Sequence, residues 1–238
     1  MAVKRTNNPA FSGFLTNTSA TLDPAGDWTA CGWVKFVTSV NTCGIWSCGD
    51  GTDAFFLETN GTGGIKVRQG LSFSFTTRFT SSNEVSTDVW YFIAVTKSGS
   101  TITLYRGDET NAAVSVGSGD SSGWGTPLYT AGGQRLMNGR GDGNQLGTDS
   151  EIAYWRSWDG VALSVSDLNV ERASATAVYT TPRTDWRLTS SAARATDSSS
   201  NSFSLSDGAG TTWADGVDPT QPSGGPSFIP RSTLLGAG

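Results

Sequence analysis

The residues able to do chemistry in this 238-residue chain are notable first for what they exclude. It contains no His, which removes the usual proton shuttle near neutral pH and the commonest metal ligand. A Ser-His-Asp triad or a His-bearing zinc site cannot be built within it. The five Glu residues, Glu58, Glu84, Glu109, Glu151 and Glu171, are widely separated. None forms the close strand pattern that divides nucleophile and general acid between neighbours, so the chain is expected not to be an enzyme. A binding site needs less: an aromatic face for the apolar side of a sugar and a few polar groups for its hydroxyls. Trp124, in Ser121-Ser122-Gly123-Trp124-Gly125, is the loop aromatic that suits this role, and its alternative is to cap one end of the fold. Asp142 and Asn144, in Asn138-Gly139-Arg140-Gly141-Asp142-Gly143-Asn144, are the polar candidates. That loop, like Asp50-Gly51-Thr52-Asp53, also reads as ordinary turn chemistry, where Asp and Asn bond their own backbone. The Arg140-Gly141-Asp142 tripeptide is discounted as a chance match, and no Gly-rich run has the order of a phosphate-binding loop.

Positioning such loops falls to strands. Trp90–Arg106, WYFIAVTKSGSTITLYR, is two apolar runs around a turn at Lys97, Ser98, Gly99 and Ser100. Trp90, Phe92 and Ala94 fall on one face of the first run and Tyr91, Ile93 and Val95 on the other, so it is covered on both sides. Further strands are expected over 28–37, 44–47, 54–59, 64–69, 72–79 and 145–158, each bounded by Gly, Ser, Asn or Asp. One helix of about two turns is expected after Trp158, with Ser164 as N-cap and Asp167 three residues later. The fold class is therefore all-β, an antiparallel sandwich with one short helix.

Three segments carry a family resemblance: the Trp90 hairpin, Asp27-Trp28-Thr29-Ala30-Cys31-Gly32-Trp33-Val34-Lys35, and Glu151–Trp158 with the Ala162-Leu163-Ser164 that follows. Together they resemble laminin-G-like, concanavalin A-like jelly-roll domains. Asp185-Trp186-Arg187-Leu188 and the Ala195–Asn201 stretch resemble what usually precedes the Trp28 strand, so the order looks circularly permuted. Residues 184–217 are then expected to add strands to the same sheets. Glucanases of this fold carry two Glu and an Asp on one strand, a cluster this chain lacks. The resemblance implies binding rather than catalysis, and calcium, required by nothing in the sequence, enters only as the ion many relatives hold in rim loops. Its candidate ligands here are Asp50, Asp53, Asp142 and Asn144.

Composition sets the remaining expectations. Sixteen Lys and Arg against 21 Asp and Glu give a net charge of -5, with the cations scattered, which argues against a nucleic-acid partner. No window approaches the ~20 apolar residues that span a bilayer. Three Cys, Cys31, Cys43 and Cys48, match a disulfide framework poorly. Cys31 suits core packing; for Cys43 and Cys48 free thiols rank ahead of a bridge across a hairpin. Residues 1–10 read as a polar arm, 11–218 as the sandwich and 219–238 as a Pro/Gly-rich tail. In that tail Phe228, Ile229, Leu234 and Leu235 are docking hooks, seated on the domain itself, on a symmetry mate or on a larger assembly. The expectation is a virion structural or adhesive module of phage type, assembled in host cytoplasm, that touches other virion proteins or homo-oligomer mates through its arms and surface glycans through its loops. The rival is a secreted carbohydrate-binding module.

Overall fold

Two antiparallel sheets face one another across a core rich in Trp. The computed structural model describes residues 2–7, 14–23, 25–38, 40, 43–49, 54–71, 74–82, 85–122, 133–137 and 147–220. In chain order the strands are β1 (Val3–Arg5), β2 (Leu15–Asn17), β3 (Trp28–Lys35), β4 (Gly44–Gly49), β5 (Ala54–Thr59), β6 (Ile65–Leu71), β7 (Ser74–Thr80), β8 (Trp90–Ser98), β9 (Thr101–Asp108), β10 (Val114–Asp120), β11 (Gln134–Leu136) and β12 (Glu151–Asp159). The helix α1 (Val165–Arg172) follows, then β13 (Thr184–Trp186), β14 (Ser206–Asp207) and β15 (Trp213–Asp215). One sheet runs β10-β9-β8-β3-β12-β1-β15, with β13 also on β12, and the other β14-β2-β11-β4-β5-β6-β7.

The central hairpin explains the layering. Tyr91, Ile93 and Val95 of β8 point into the core between the sheets, while Trp90, Phe92 and Ala94 join a second apolar cluster on the outer face. That second cluster includes Trp33, Trp158, Leu163 and Leu168, so α1 and its approach form a lid over one sheet. β8 is accordingly buried on both faces, as its uninterrupted apolar sequence requires. The turn is tighter than expected, because the strands extend to Ser98 and Thr101 and leave Gly99 and Ser100 to connect them. Gly99 adopts φ 55°, a conformation glycine reaches without steric cost. Lys97 therefore lies within the strand, buried, donating to the carbonyls of Ala25 and Gly26 at 3.2 and 2.8 Å.

Aromatic packing fills the inter-sheet core. Trp28 meets Phe55 edge-on at 4.6 Å and Trp46 at 5.8 Å, and Trp46 meets Trp155 at 6.2 Å. Gly32 sits where β3 passes under Trp155: a Cβ there would lie 2.5 Å from the indole Cε3 and 3.0 Å from the Trp155 Cα. A polar ladder crosses the same core, since the Trp46 indole donates to Gln134 Oε1 at 2.9 Å and Gln134 Nε2 donates to Ser157 Oγ at 2.9 Å. Ser157 and Thr184 hydroxyls lie 2.8 Å apart and complete it. Each buried polar atom in that line has a partner, which removes the desolvation penalty of burying it.

The sequence reading needs correction at the chain's beginning. Residues 3–5, assigned to a polar arm, form β1 between β12 and β15, with Val3 and Arg5 buried. Three residues are too few to show a period, and the pairing strands that make β1 worthwhile lie over 145 positions away. The expectation for 184–217 holds: β13, β14 and β15 pair with β12, β2 and β1, and Trp186, Leu188 and Leu205 enter the common core. α1 starts after Ser164, whose hydroxyl accepts from the Asp167 backbone N–H while Asp167 receives the Ser164 N–H, the expected capping box.

Candidate functional site: a groove beside the helix

The strand β12 has two different partners along one edge. β1 pairs with Glu151 and Ile152, β13 pairs with Trp155 to Ser157, and Tyr154 sits between them at φ 50° where the ladder to β3 shifts register. The bulge turns Arg156 to the outer face, under α1. There it is 1% exposed and fully engaged: Nε to Asp185 Oδ1 at 3.1 Å, Nη1 to Glu171 Oε2 at 2.7 Å and to the Glu171 carbonyl at 3.1 Å, and Nη2 to the Ser174 carbonyl at 2.9 Å. Asp185 is shared with Arg187, whose Nε reaches Oδ2 at 3.2 Å. Glu171, Arg156, Asp185 and Arg187 thus form an alternating chain of charges from beneath the helix to the surface. Burial raises the Glu171 carboxyl above its ordinary range, and the Arg156 guanidinium is the main opposing influence.

Two loops use this chain as their floor. After α1, Glu171 Oε1 accepts the backbone N–H groups of Val178 and Tyr179 at 2.8 and 2.5 Å, which fixes the loop before β13. The Tyr179 ring is held edge-on to buried Trp158 at 6.4 Å and remains 39% exposed. After β13, Asp197 organises the second loop: Oδ1 accepts the N–H groups of Asp185 and Ser199, and Oδ2 accepts the Ser199 hydroxyl and the Phe203 N–H, all between 2.7 and 2.9 Å. Asn201 ties the loops together by donating to the carbonyls of Pro182 and Arg183.

Between the loops lies a cleft of about 390 Å³, lined by Tyr179, Thr180, Asp185, Arg187, Ser198 and Ser200 among others. A neighbouring depression, about 410 Å³, shares Thr181, Pro182 and Ser200 and adds Asp159, Arg183 and Asn201. Each is within the range of ligand clefts, roughly 300–1,000 Å³. Thr181, at the junction, has φ 55°, unusual for a β-branched residue, and Leu188 and Ser202 share that region. Such conformations cost about 1–3 kcal/mol each, and they concentrate at ligand sites.

Every ligand, metal and docking residue singled out from sequence lies outside the described residues: Trp124, Asp50, Asp53, Asp142, Asn144, Phe228, Ile229, Leu234 and Leu235. Among the described residues no group of three or more His, Cys, Asp or Glu is placed to hold a metal. Cys31, Cys43 and Cys48 are buried and none forms a disulfide, and burial pushes the Cys48 thiol up to about 12, far from a reactive thiolate. Trp213 packs at the β15 edge against the core. The described glutamates serve structure: Glu58 faces Lys66 and Arg68, Glu151 faces Lys35, Glu171 faces Arg156, and Glu109 accepts the Thr220 N–H. Sequence reasoning missed the groove. Its available signal was Tyr179 in Val178-Tyr179-Thr180-Thr181-Pro182, an aromatic in a polar loop ending at Pro.

Comparison with known proteins fits this architecture. Among solved structures, the native heptameric SAP-like pentraxin of Limulus polyphemus matches with a TM-score of 0.56 and 17% identity over 90% of this chain and 94% of its own. A provisionally assigned carbohydrate binding protein of Bacteroides ovatus matches at 0.58 and 12% identity, over 92% of this chain and 60% of its own. The enzymatically active domain of bacteriophage CBA120 tailspike protein 2 reaches 0.49 and 14% identity over 66% of this chain and 25% of its own, a likeness that carries nothing about origin. No curated protein sequence matches. Residues 10–169 match the Laminin_G_3 model, and the groove loops lie C-terminal to that segment. With two thirds of its length matched by that model, the chain belongs to the concanavalin A-like lectin/glucanases superfamily.

Proposed function

We propose that the chain is a non-enzymatic carbohydrate-binding module whose ligand lies in the groove beside α1. The observation that carries this is Tyr179, its ring packed on Trp158 and its backbone held by the Glu171 carboxylate, in a cleft whose other lining residues include Thr180, Ser198, Ser200 and Arg187 beside the apolar Ala177, Val178 and Pro182. An apolar ring beside polar groups is what a pyranose needs, one face for its C–H patch and donors for its hydroxyls. Membership of a lectin-containing superfamily and the fold shared with a provisionally assigned carbohydrate binding protein support the same reading. The structural engagement of the described glutamates favours binding over hydrolysis. The biological setting we propose is an adhesive component of a virion, docked to other virion proteins or to copies of itself through its terminal segments, with a secreted binding module as the alternative. Calcium in the loops at 50–53 or 138–144 is part of the proposal only as a supplementary ion, tested by repeating binding in chelator.

The test is glycan-array binding by the full chain and by Tyr179→Ala. Specific glycans retained by the parent and weakened about tenfold or more in the variant support the proposal. Unchanged binding by Tyr179→Ala removes the groove from it, and no glycan bound by the parent ends it.

A further inference from the structure

The groove's charges are unequally available, and this bears on which sugars it takes. Asp197 spends both carboxylate oxygens on four donors, three from its own loop and the Asp185 N–H of β13. Asp185 is 2% exposed and divided between two guanidiniums. Neither carboxylate faces a ligand as a free acceptor. Arg187 is the reverse: its Nε is fixed on Asp185, its side chain is 40% exposed, and its two Nη groups carry no hydrogen bond among the described residues. Anchoring at Nε sets the plane of the guanidinium and leaves its outer fork directed away from Asp185, ready for a planar acceptor. Ser198 and Ser200, across the cleft, offer hydroxyls that likewise bond nothing among the described residues.

We propose that the groove's ligand is a glycan bearing a carboxylate, such as a uronic acid, received by the Arg187 fork while the sugar ring lies on Tyr179. This rests on the carbohydrate-binding reading above and specifies it. The charge sequence supports it: Glu171, Arg156, Asp185 and Arg187 alternate in sign, ending on a cation at the surface, and an anionic ligand continues the alternation. A neutral sugar leaves the Arg187 guanidinium with its Nε contact to Asp185 alone, whereas a carboxylate adds two charge-assisted hydrogen bonds at the Nη groups. In the adjoining depression Arg183 and Asp159 contribute one charge of each sign and leave the balance unchanged. The chain's net charge of -5 gives no general attraction for anions, so the selectivity is local to Arg187.

The experiment uses an array printed with matched pairs, each carboxylate-bearing glycan beside its carboxyl-reduced neutral counterpart, with sulfated neutral glycans as a third arm. The parent chain is expected to bind acids at least tenfold better than their reduced counterparts, the preference weakening as salt rises. Arg187→Gln is expected to lose that preference, and Arg187→Lys to restore part of it. Equal binding of acid and reduced partners, preference for sulfates alone, or an Arg187→Gln variant that keeps the acid preference overturns the proposal while leaving the carbohydrate reading intact. Absence of all glycan binding overturns both. The matched pairs on the parent decide the question even where a variant folds poorly.

Discussion

Arg156 is the residue on which the groove's floor depends, and Arg156→Met measures that dependence. The substitution keeps much of the side chain's length but removes four hydrogen bonds and, among the described residues, the one guanidinium that touches both Glu171 and Asp185. Both carboxylates are at most 2% exposed, so each is left buried, Asp185 with Arg187 alone and Glu171 with two backbone N–H groups. Breaking a buried ion pair by removing one partner costs about 3–5 kcal/mol. At about 2–4 °C per kcal/mol for a domain of this size, the midpoint of thermal unfolding should fall by roughly 6–20 °C. The deficit has a pH signature. Burial already raises the Glu171 carboxyl and Arg156 holds it down, so losing Arg156 raises it further. A carboxyl whose folded pKa lies above its unfolded value binds more protons in the folded state, so stability falls as pH rises between those two values. The variant's deficit should therefore widen as pH rises from about 4 towards neutrality and shrink in acid. Circular dichroism melts of parent and variant across that range measure it. A deficit under about 1 kcal/mol, or one independent of pH, refutes the assignment of Arg156 as the compensating charge.

Gln134→Leu should destabilise by about 1–3 kcal/mol, because the Trp46 indole N–H loses its buried acceptor; urea unfolding checks this. Gly32→Ala, placing a methyl 2.5 Å from the Trp155 ring and 3.0 Å from its backbone, should cost about 1–3 kcal/mol or more by overpacking, read in the same assay. Ser164→Ala removes the capping box of α1 and should cost about 1 kcal/mol in chemical denaturation.

The sheet centre and the helix were legible because their signals are local. Alternate faces of β8 are both apolar, a Gly-containing turn follows, and the Ser164 and Asp167 cap is written in four residues. β1, β2, β11, β13, β14 and β15 have only two or three residues each, too short for any period, and exist because distant strands offer them edges. β10 was hidden differently: Val114-Ser115-Val116-Gly117-Ser118-Gly119-Asp120 reads as loop, yet its Gly117 and Gly119 let the backbone pass close to Phe79 and the Arg78 carbonyl. The groove was illegible because its parts come from 156, 171, 179, 187 and 197–201, where Ser, Thr and Asp are indistinguishable from ordinary turn residues. Only the fold shows that Asp185 and Asp197 are internal braces and that Arg187 is the group left facing outward.

The most direct test of the central claim is a backbone amide NMR titration of the full chain with uronic-acid oligosaccharides and their carboxyl-reduced forms. The account predicts ligand-induced shifts concentrated at residues 178–181 and 197–201, with the Tyr179 amide and the Arg187 Nε–H among the largest. Shifts confined to residues 50–53 or 138–144, or no shift with any sugar, contradict it.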